Sequence, residues 1–239
     1  MESDIIKRGI DELITTYNNV IKVVDKKEAH LEKDRAYGGV VRSVKGRLQE
    51  YITEEIINIA WKSIGGKDER ISIDSKKHKI PIQKSYITHI ADNEVKQYII
   101  SNISDYYFNI SVDKQVYIDK KFVIGIECKA YTENAMIKRI LVDFSLLKTI
   151  FPNINCYLFE LESQLGGDYC ELKEVTFGSK PTHTLMSYFP KIRLNIFTFL
   201  KGERKVNKPI HKKNYFKPLE KTRIEKSIQL LASDLKNYL

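Results

Sequence analysis

The middle of the chain changes its hydrophobic period from about 3.6 residues to 2, and that switch restricts the fold more than any other feature. From 107 to 118, Phe108, Ile110, Val112, Val116 and Ile118 alternate with Tyr107, Asn109, Ser111, Asp113, Gln115 and Tyr117. Lys114 is the only charge on the apolar side of that alternation. Residues 122–131 repeat the pattern, with Phe122, Ile124, Ile126, Cys128 and Ala130 set against Val123, Gly125, Glu127, Lys129 and Tyr131. Each segment reads as a strand with two unlike faces, and the polar Asp119-Lys120-Lys121 between them reads as a turn. A strand pair of this kind must be covered, and the flanking sequence supplies helices to cover it.

Residues 3–24 carry Ile6, Ile10, Leu13, Tyr17, Val20 and Val24 at spacings of three and four, which predicts an amphipathic helix. A charged connector from Asp25 to Arg35, with Gly38-Gly39, leads to a second helix over 44–63. Val44, Leu48, Ile52, Ile56 and Ile59 form its stripe, and Gly65-Gly66 stops it. A short strand over 70–73 and a short helix over 93–101 follow. Beyond the alternating segment, Met136, Ile137, Ile140, Leu141, Phe144 and Leu147 predict a helix over 132–150, with Thr132 as its cap and Pro152 past its end. A strand over 155–162, a turn at Gly166-Gly167 and strand pieces near 170–177 and 192–200 come next. A last helix begins near Leu219 and carries Ile224, Ile228, Leu231 and Leu235. The whole is expected as one α/β domain over 1–239, a mixed central sheet of about five strands flanked by helices.

With 239 residues, 42% hydrophobic and 30% charged, the chain can bury a sizeable core without staples. Cys128, Cys156 and Cys170 are an odd set without zinc-ligand spacing, which points to a reducing compartment and neither disulfides nor structural zinc. The opening MESDIIKRGIDEL lacks an apolar block, so a cytoplasmic protein with no membrane partner is expected. A net charge of +9 favours polyanions, nucleic acid first.

The chemistry concentrates in 112–129. Closing the two strands through a three-residue loop at 119–121 sets Ile118 against Phe122, Val116 against Ile124 and Asp113 against Glu127. A slip of one residue would send Asp113 to the other face. Glu127 and Lys129 share a face. Two carboxylates opposed at about 5 Å repel unless a cation lies between them or one is protonated. A divalent metal suits them, Mg²⁺ first, because carboxylate, water and phosphate oxygens make its hard octahedral shell. The metal would polarise a phosphoryl group and acidify water, with an ammonium beside it to hold the attacking water. The plainer reading is a solvated strand face with a cross-strand ion pair. Asp119 is a rival first acid that lies in the turn, away from Glu127. His30, His78, His89, His183 and His211 are scattered, Trp61 suits the core, and Lys138 and Arg139 suit the solvated side of their helix. Residues 201–223 hold nine Lys/Arg against two Glu, interleaved with Tyr215 and Phe216, and suit contacts to a nucleic-acid backbone.

Asp113 followed fourteen residues later by Glu127-Cys128-Lys129, at the end of an apolar strand, resembles the PD-(D/E)xK nuclease superfamily and within it the type II restriction endonucleases. The helix and strand that follow match that family's core order, over residues 44–162. Val112 stands where some relatives carry proline. The resemblance implies a restriction-endonuclease-like fold and Mg²⁺-dependent, sequence-specific cleavage of double-stranded DNA by a homodimer. Asp113, Glu127 and Lys129 would be catalytic, with the metal on Asp113 and Glu127. A glutamate of the preceding helix would join the metal, Glu50 before Glu54 or Glu55. Residues 163–239 would serve DNA recognition or dimerisation. The other readings kept open are a structure-selective junction or repair nuclease and a basic nucleic-acid-binding protein without catalysis.

Overall fold

The structure, a computed structural model, describes every residue except 1, 29–33, 168, 170–177, 209 and 211, and the backbone alone at 2–5, 24–28 and 34–42. Helix α1 (Glu2–Glu28) buries Ile10, Leu13, Tyr17 and Ile21, a stripe at helical spacing. Helix α2 (Asp34–Ser63) starts earlier than the sequence suggests and takes Gly38 and Gly39 into its interior. Helix growth is cooperative, and the buried Leu48, Ile52, Ile56, Ile57 and Ala60 downstream offset two unfavourable glycines. The chain leaves α2 through Gly65 at φ +80. Gly66 then lies flat against Trp61, where a Cβ would come within 2.2 Å of the indole. Trp61 is core, as expected, its ring N–H donating to the Lys67 carbonyl at 2.9 Å.

Strands β1 (Ile71–Asp74) and β2 (His78–Pro81) precede two short helices, α3 (Lys84–Thr88) and α4 (Asn93–Ser101). Then come β3 (Tyr107–Ile110), β4 (Lys114–Ile118), β5 (Lys121–Thr132), α5 (Asn134–Ile150) and β6 (Asn155–Ser163). Helix α6 (Lys180–Ser187), β7 (Leu194–Thr198) and α7 (Lys221–Leu235) complete the chain. The main sheet runs β1-β4-β5-β6-β7, antiparallel as far as β5 and parallel beyond, so it is the mixed five-stranded sheet expected. On one face α1, α2 and α7 pack over Val116, Ile124, Ile126, Tyr157 and Phe159. On the other, α5 buries Ile137, Ile140, Leu141, Phe144 and Leu147 against Leu158, with α6 and a small β2-β3 sheet alongside. Strand β7 extends the main sheet and α7 packs on α2, so much of 163–239 completes the core. No helix among the described residues is long and apolar enough to cross a membrane.

Three local expectations are corrected. Residues 107–118 are not one strand, because the chain leaves the ladder at 111–113, β3 pairing with β2 and β4 with β1 and β5. Alternation is the same on both sides of the break and cannot reveal a change of sheet. The hairpin turn is Asp119-Lys120 alone, both at positive φ (49 and 67), as a tight two-residue turn requires, so Ile118 pairs with Lys121 and Tyr117 with Phe122. Val116 nonetheless pairs with Ile124, so Val123 is an extra residue, a bulge that puts Phe122 on the α5 side and Val123 with Ile124 on the α2 side. Thr132 does not cap α5. It closes β5, and Glu133 holds the cap position without a side-chain bond. The strand piece expected near 170–177 lies outside the described residues, as do His30, His211 and Cys170. Cys128 and Cys156 are buried free thiols.

Candidate active site

Where the chain leaves the ladder at 111–113, Asp113 is freed to turn its carboxylate toward β5. The last rung between β4 and β5 joins Lys114 to Ile126, which leaves the Cys128 N–H without a ladder partner on that side. Asp113 supplies one, its Oδ2 accepting from Cys128 N at 2.8 Å. The same oxygen accepts from Lys129 Nζ at 3.0 Å, and Lys129 Nζ also donates to Glu127 Oε2 at 2.5 Å. The structure therefore brings Asp113, Glu127 and Lys129 together on one face of the central strand. Glu127 is 7% exposed, so its position is not a solvated one, while Asp113 and Lys129 are partly exposed and form the cross-strand ion pair of the plainer reading.

Burial is the main force on Glu127, and with the nearby Asp113 charge it pushes the carboxyl up to about 7, although Lys129 pulls the other way. For Lys129, burial pulls the ammonium down, but Glu127 and Asp113 outweigh it and hold the group above its ordinary value. Lys129 is therefore a cation at neutral pH, set between two acids where a metal would do the same electrostatic work. The oxygen donors and their unfavourable proximity fit a hard divalent cation.

The remaining candidates are placed differently. Thr53 Oγ1 lies 3.4 Å from Cys128 Sγ, so α2 covers the face opposite to Glu127 and Lys129. Glu50 and Glu55 are half-buried on α2, and Glu54 is taken by Lys114 at 2.7 Å. Among the described residues no group of three or more His, Cys, Asp or Glu side chains could hold a metal ion, so Glu50 is not gathered with Asp113 and Glu127 into a three-acid set. Asp119 is bound to Arg70, Nη2 to Oδ2 at 2.7 Å and Nε to Oδ1 at 3.1 Å, and serves the turn. His78 packs against Phe122 and Phe151 and meets Gln115 Oε1 at 2.8 Å.

Sequence reasoning missed Asp143. Helix α5 lies so close to β5 that a Cβ on Gly125 would meet Phe144 Cε1 at 2.9 Å, and Asp143 stands beside Phe144. Its carboxyl is raised by burial and lowered by Arg139, 3.5 Å away, and by Lys129, and its charge in turn raises Glu127. The signal was present in Gly125, the one small residue on the β5 face that carries the acids.

No protein-family model matches the sequence. Among solved structures the chain is similar to the native BbvCI A2B2 tetramer, at 11% identity and a TM-score of 0.36, covering 99% of this chain and 92% of that one. It is also 56% identical over 227 residues to the type II restriction enzyme DdeI of Desulfomicrobium norvegicum, covering 94% of this chain and 95% of the relative. Identity at more than half the aligned positions, over nearly the full length of both proteins, is the extent expected within one family, and this chain belongs to the type II restriction enzymes.

Proposed function

We propose that the protein cuts duplex DNA at a specific sequence by Mg²⁺-dependent hydrolysis of a phosphodiester in each strand, with the site chemistry of the PD-(D/E)xK superfamily. The observation that carries this reading is the convergence of Asp113, Glu127 and Lys129 on a central strand of a type II restriction enzyme. Asp113 and Glu127 would hold the metal, with the Cys128 N–H fixing the first and burial the second. When bound, Mg²⁺ supplies positive charge to the phosphoryl oxygens and a more acidic water. Asp113 keeps one orientation through Cys128 N–H, and the oxygen held in this way is the one that faces Lys129. Lys129 keeps its proton and would use it to orient the attacking water and contact the scissile phosphate. A net charge of +9 draws the duplex in.

A homodimer fits the proposal. Each chain has one such site among its described residues, a duplex has two strands, and a two-fold protein matches a two-fold DNA sequence. The parts of 163–239 outside the core are candidates for DNA recognition or dimerisation.

Incubation of phage DNA with the protein and Mg²⁺ should give discrete bands, and EDTA should abolish them. Activity on branched DNA alone would mean a junction nuclease, and binding without scission a non-catalytic protein. Asp113→Ala, Glu127→Ala and Lys129→Ala should each remove cutting while leaving binding within about tenfold.

A further inference from the structure

We propose that Arg204 is a phosphate-binding residue that grips the DNA backbone next to the scissile phosphate, from a socket built on the strand that carries Glu127 and Lys129. The inference rests on the active-site reading above. Tyr131 is two residues beyond Lys129, and the regular pairing of β5 with β6, Lys129 with Glu160 and Tyr131 with Glu162, keeps both on one face. The Arg204 guanidinium lies over the Tyr131 ring, 3.6 Å from its centre, and its Nη1 donates to Gln164 Oε1 at 2.9 Å. A two-residue step along a strand is about 6.6 Å, on the scale of the spacing between neighbouring phosphates in one DNA strand. A phosphate at Lys129 therefore leaves its neighbour within reach of Arg204.

The loop that carries Arg204 is held by its own set of bonds. After β7 the chain continues beside β6, Phe199 N donating to Glu160 O at 2.9 Å, Leu200 N to Leu161 O at 2.9 Å and Arg204 N to Ser163 O at 2.7 Å. Lys217 fastens it from below, its Nζ donating to Gly202 O at 3.3 Å and Glu203 O at 3.0 Å while pairing with the buried Glu162 at 2.8 Å. All of this bonding fixes a guanidinium that, among the described residues, has no carboxylate partner. An arginine whose task is structural usually ends on a carboxylate. One that is stacked, tethered through a single nitrogen and left with open N–H groups is pre-organised for an anion. Its neighbours Lys201, Lys205 and Lys208 are exposed and add to the local field. The planar fork of arginine suits two oxygens of one phosphate, which a lysine in the same socket would meet as a point charge.

The test is a binding measurement on the full chain in EDTA, with a duplex containing the mapped cut site. Arg204→Ala should bind about 10- to 100-fold more weakly at low salt and lower the slope of log affinity against log salt by about one, with an unchanged melting temperature. Arg204→Lys, which keeps the charge and guards against a folding artefact, should restore the slope and only part of the affinity. Duplexes carrying one neutral methylphosphonate on either side of the scissile phosphate locate the contact. At one of those positions the modification should weaken wild-type binding and leave Arg204→Ala nearly indifferent. A wild-type salt slope in Arg204→Ala, or purely additive effects at both positions, overturns the proposal. If Asp113→Ala still cuts, the active-site reading fails instead, while these binding results stand or fall independently of it.

Discussion

Glu127 is buried before any metal arrives, and that has a consequence for stability. Its carboxyl rises from 4.5 to about 7, chiefly because burial disfavours the charge. Between those values the folded chain binds the proton more tightly than the unfolded chain, so the contribution is complete at low pH and is lost as pH rises through about 7. Glu127→Gln keeps the shape and removes the charge. In EDTA it should match the wild type near pH ~4 and be more stable by about 1–3 kcal/mol near pH ~8, read from urea unfolding. A less stable variant near pH ~8 would show that the ion pair with Lys129 outweighs desolvation. Saturating Mg²⁺ should reverse the order, because only the wild type gains the free energy of binding. Lys129 answers the same electrostatics from the other side. In Lys129→Ala two acids share a site with no cation, so the metal-free protein should lose about 1–2 kcal/mol, discounted for partial exposure. Added Mg²⁺ should recover most of it, and thermal melts with and without the metal decide the matter.

Strand β5 organises the site, and its fit against α5 depends on Gly125. Gly125→Ala would force a methyl group toward Phe144, which is fully buried and cannot swing away. Overpacking of this kind costs about 1–3 kcal/mol. The displaced helix carries Asp143 with it, so cleavage should fall by more than the fraction unfolded explains. Adding Phe144→Leu should return part of both, and a Gly125→Ala protein with wild-type stability and cleavage would refute this packing account. The same strand shows what the sequence could reveal. The pairing of Val116 with Ile124, and hence the approach of Asp113 to Glu127, was legible even though the turn was read one residue too long. A three-residue loop without a bulge and a two-residue turn with a bulge at Val123 give the same register beyond Val116. Nothing marks Val123 as a bulge, since valine suits a regular strand equally well. The burial parity of Glu127 and Lys129 was legible because it depends on local alternation alone. The place of Glu50 was not, because it depends on which face α2 covers, and a helical stripe says only that some face is covered. The break at 111–113 was hidden for a related reason: Val112 is buried like a strand residue although it sits in no ladder.

For the homodimer proposed above, charge and apolar surface make opposite demands. Seven of the fourteen exposed large apolar side chains among the described residues lie between 86 and 108, namely Tyr86, Val95, Tyr98, Ile100, Ile103, Tyr107 and Phe108. A monomer surface scatters such residues, so their concentration along the segment from α3 to β3 suits burial by a second copy. A stable pair needs about 1,600 Å² of buried surface, and each copy brings +9 of like charge to it. Salt screens that repulsion while it also weakens attraction to DNA. Raising salt should therefore tighten the dimer in sedimentation and loosen the DNA complex in the same buffer. Tyr98→Glu combined with Phe108→Glu changes two exposed positions and should leave the fold intact. It should shift the species toward the 27.9 kDa monomer. With one active site per encounter, that variant should turn supercoiled plasmid into nicked circles before any linear product forms. If it stays dimeric and linearises plasmid as the wild type does, copies pair through another face; if the wild type itself sediments as a monomer on and off DNA, the two-fold arrangement is wrong.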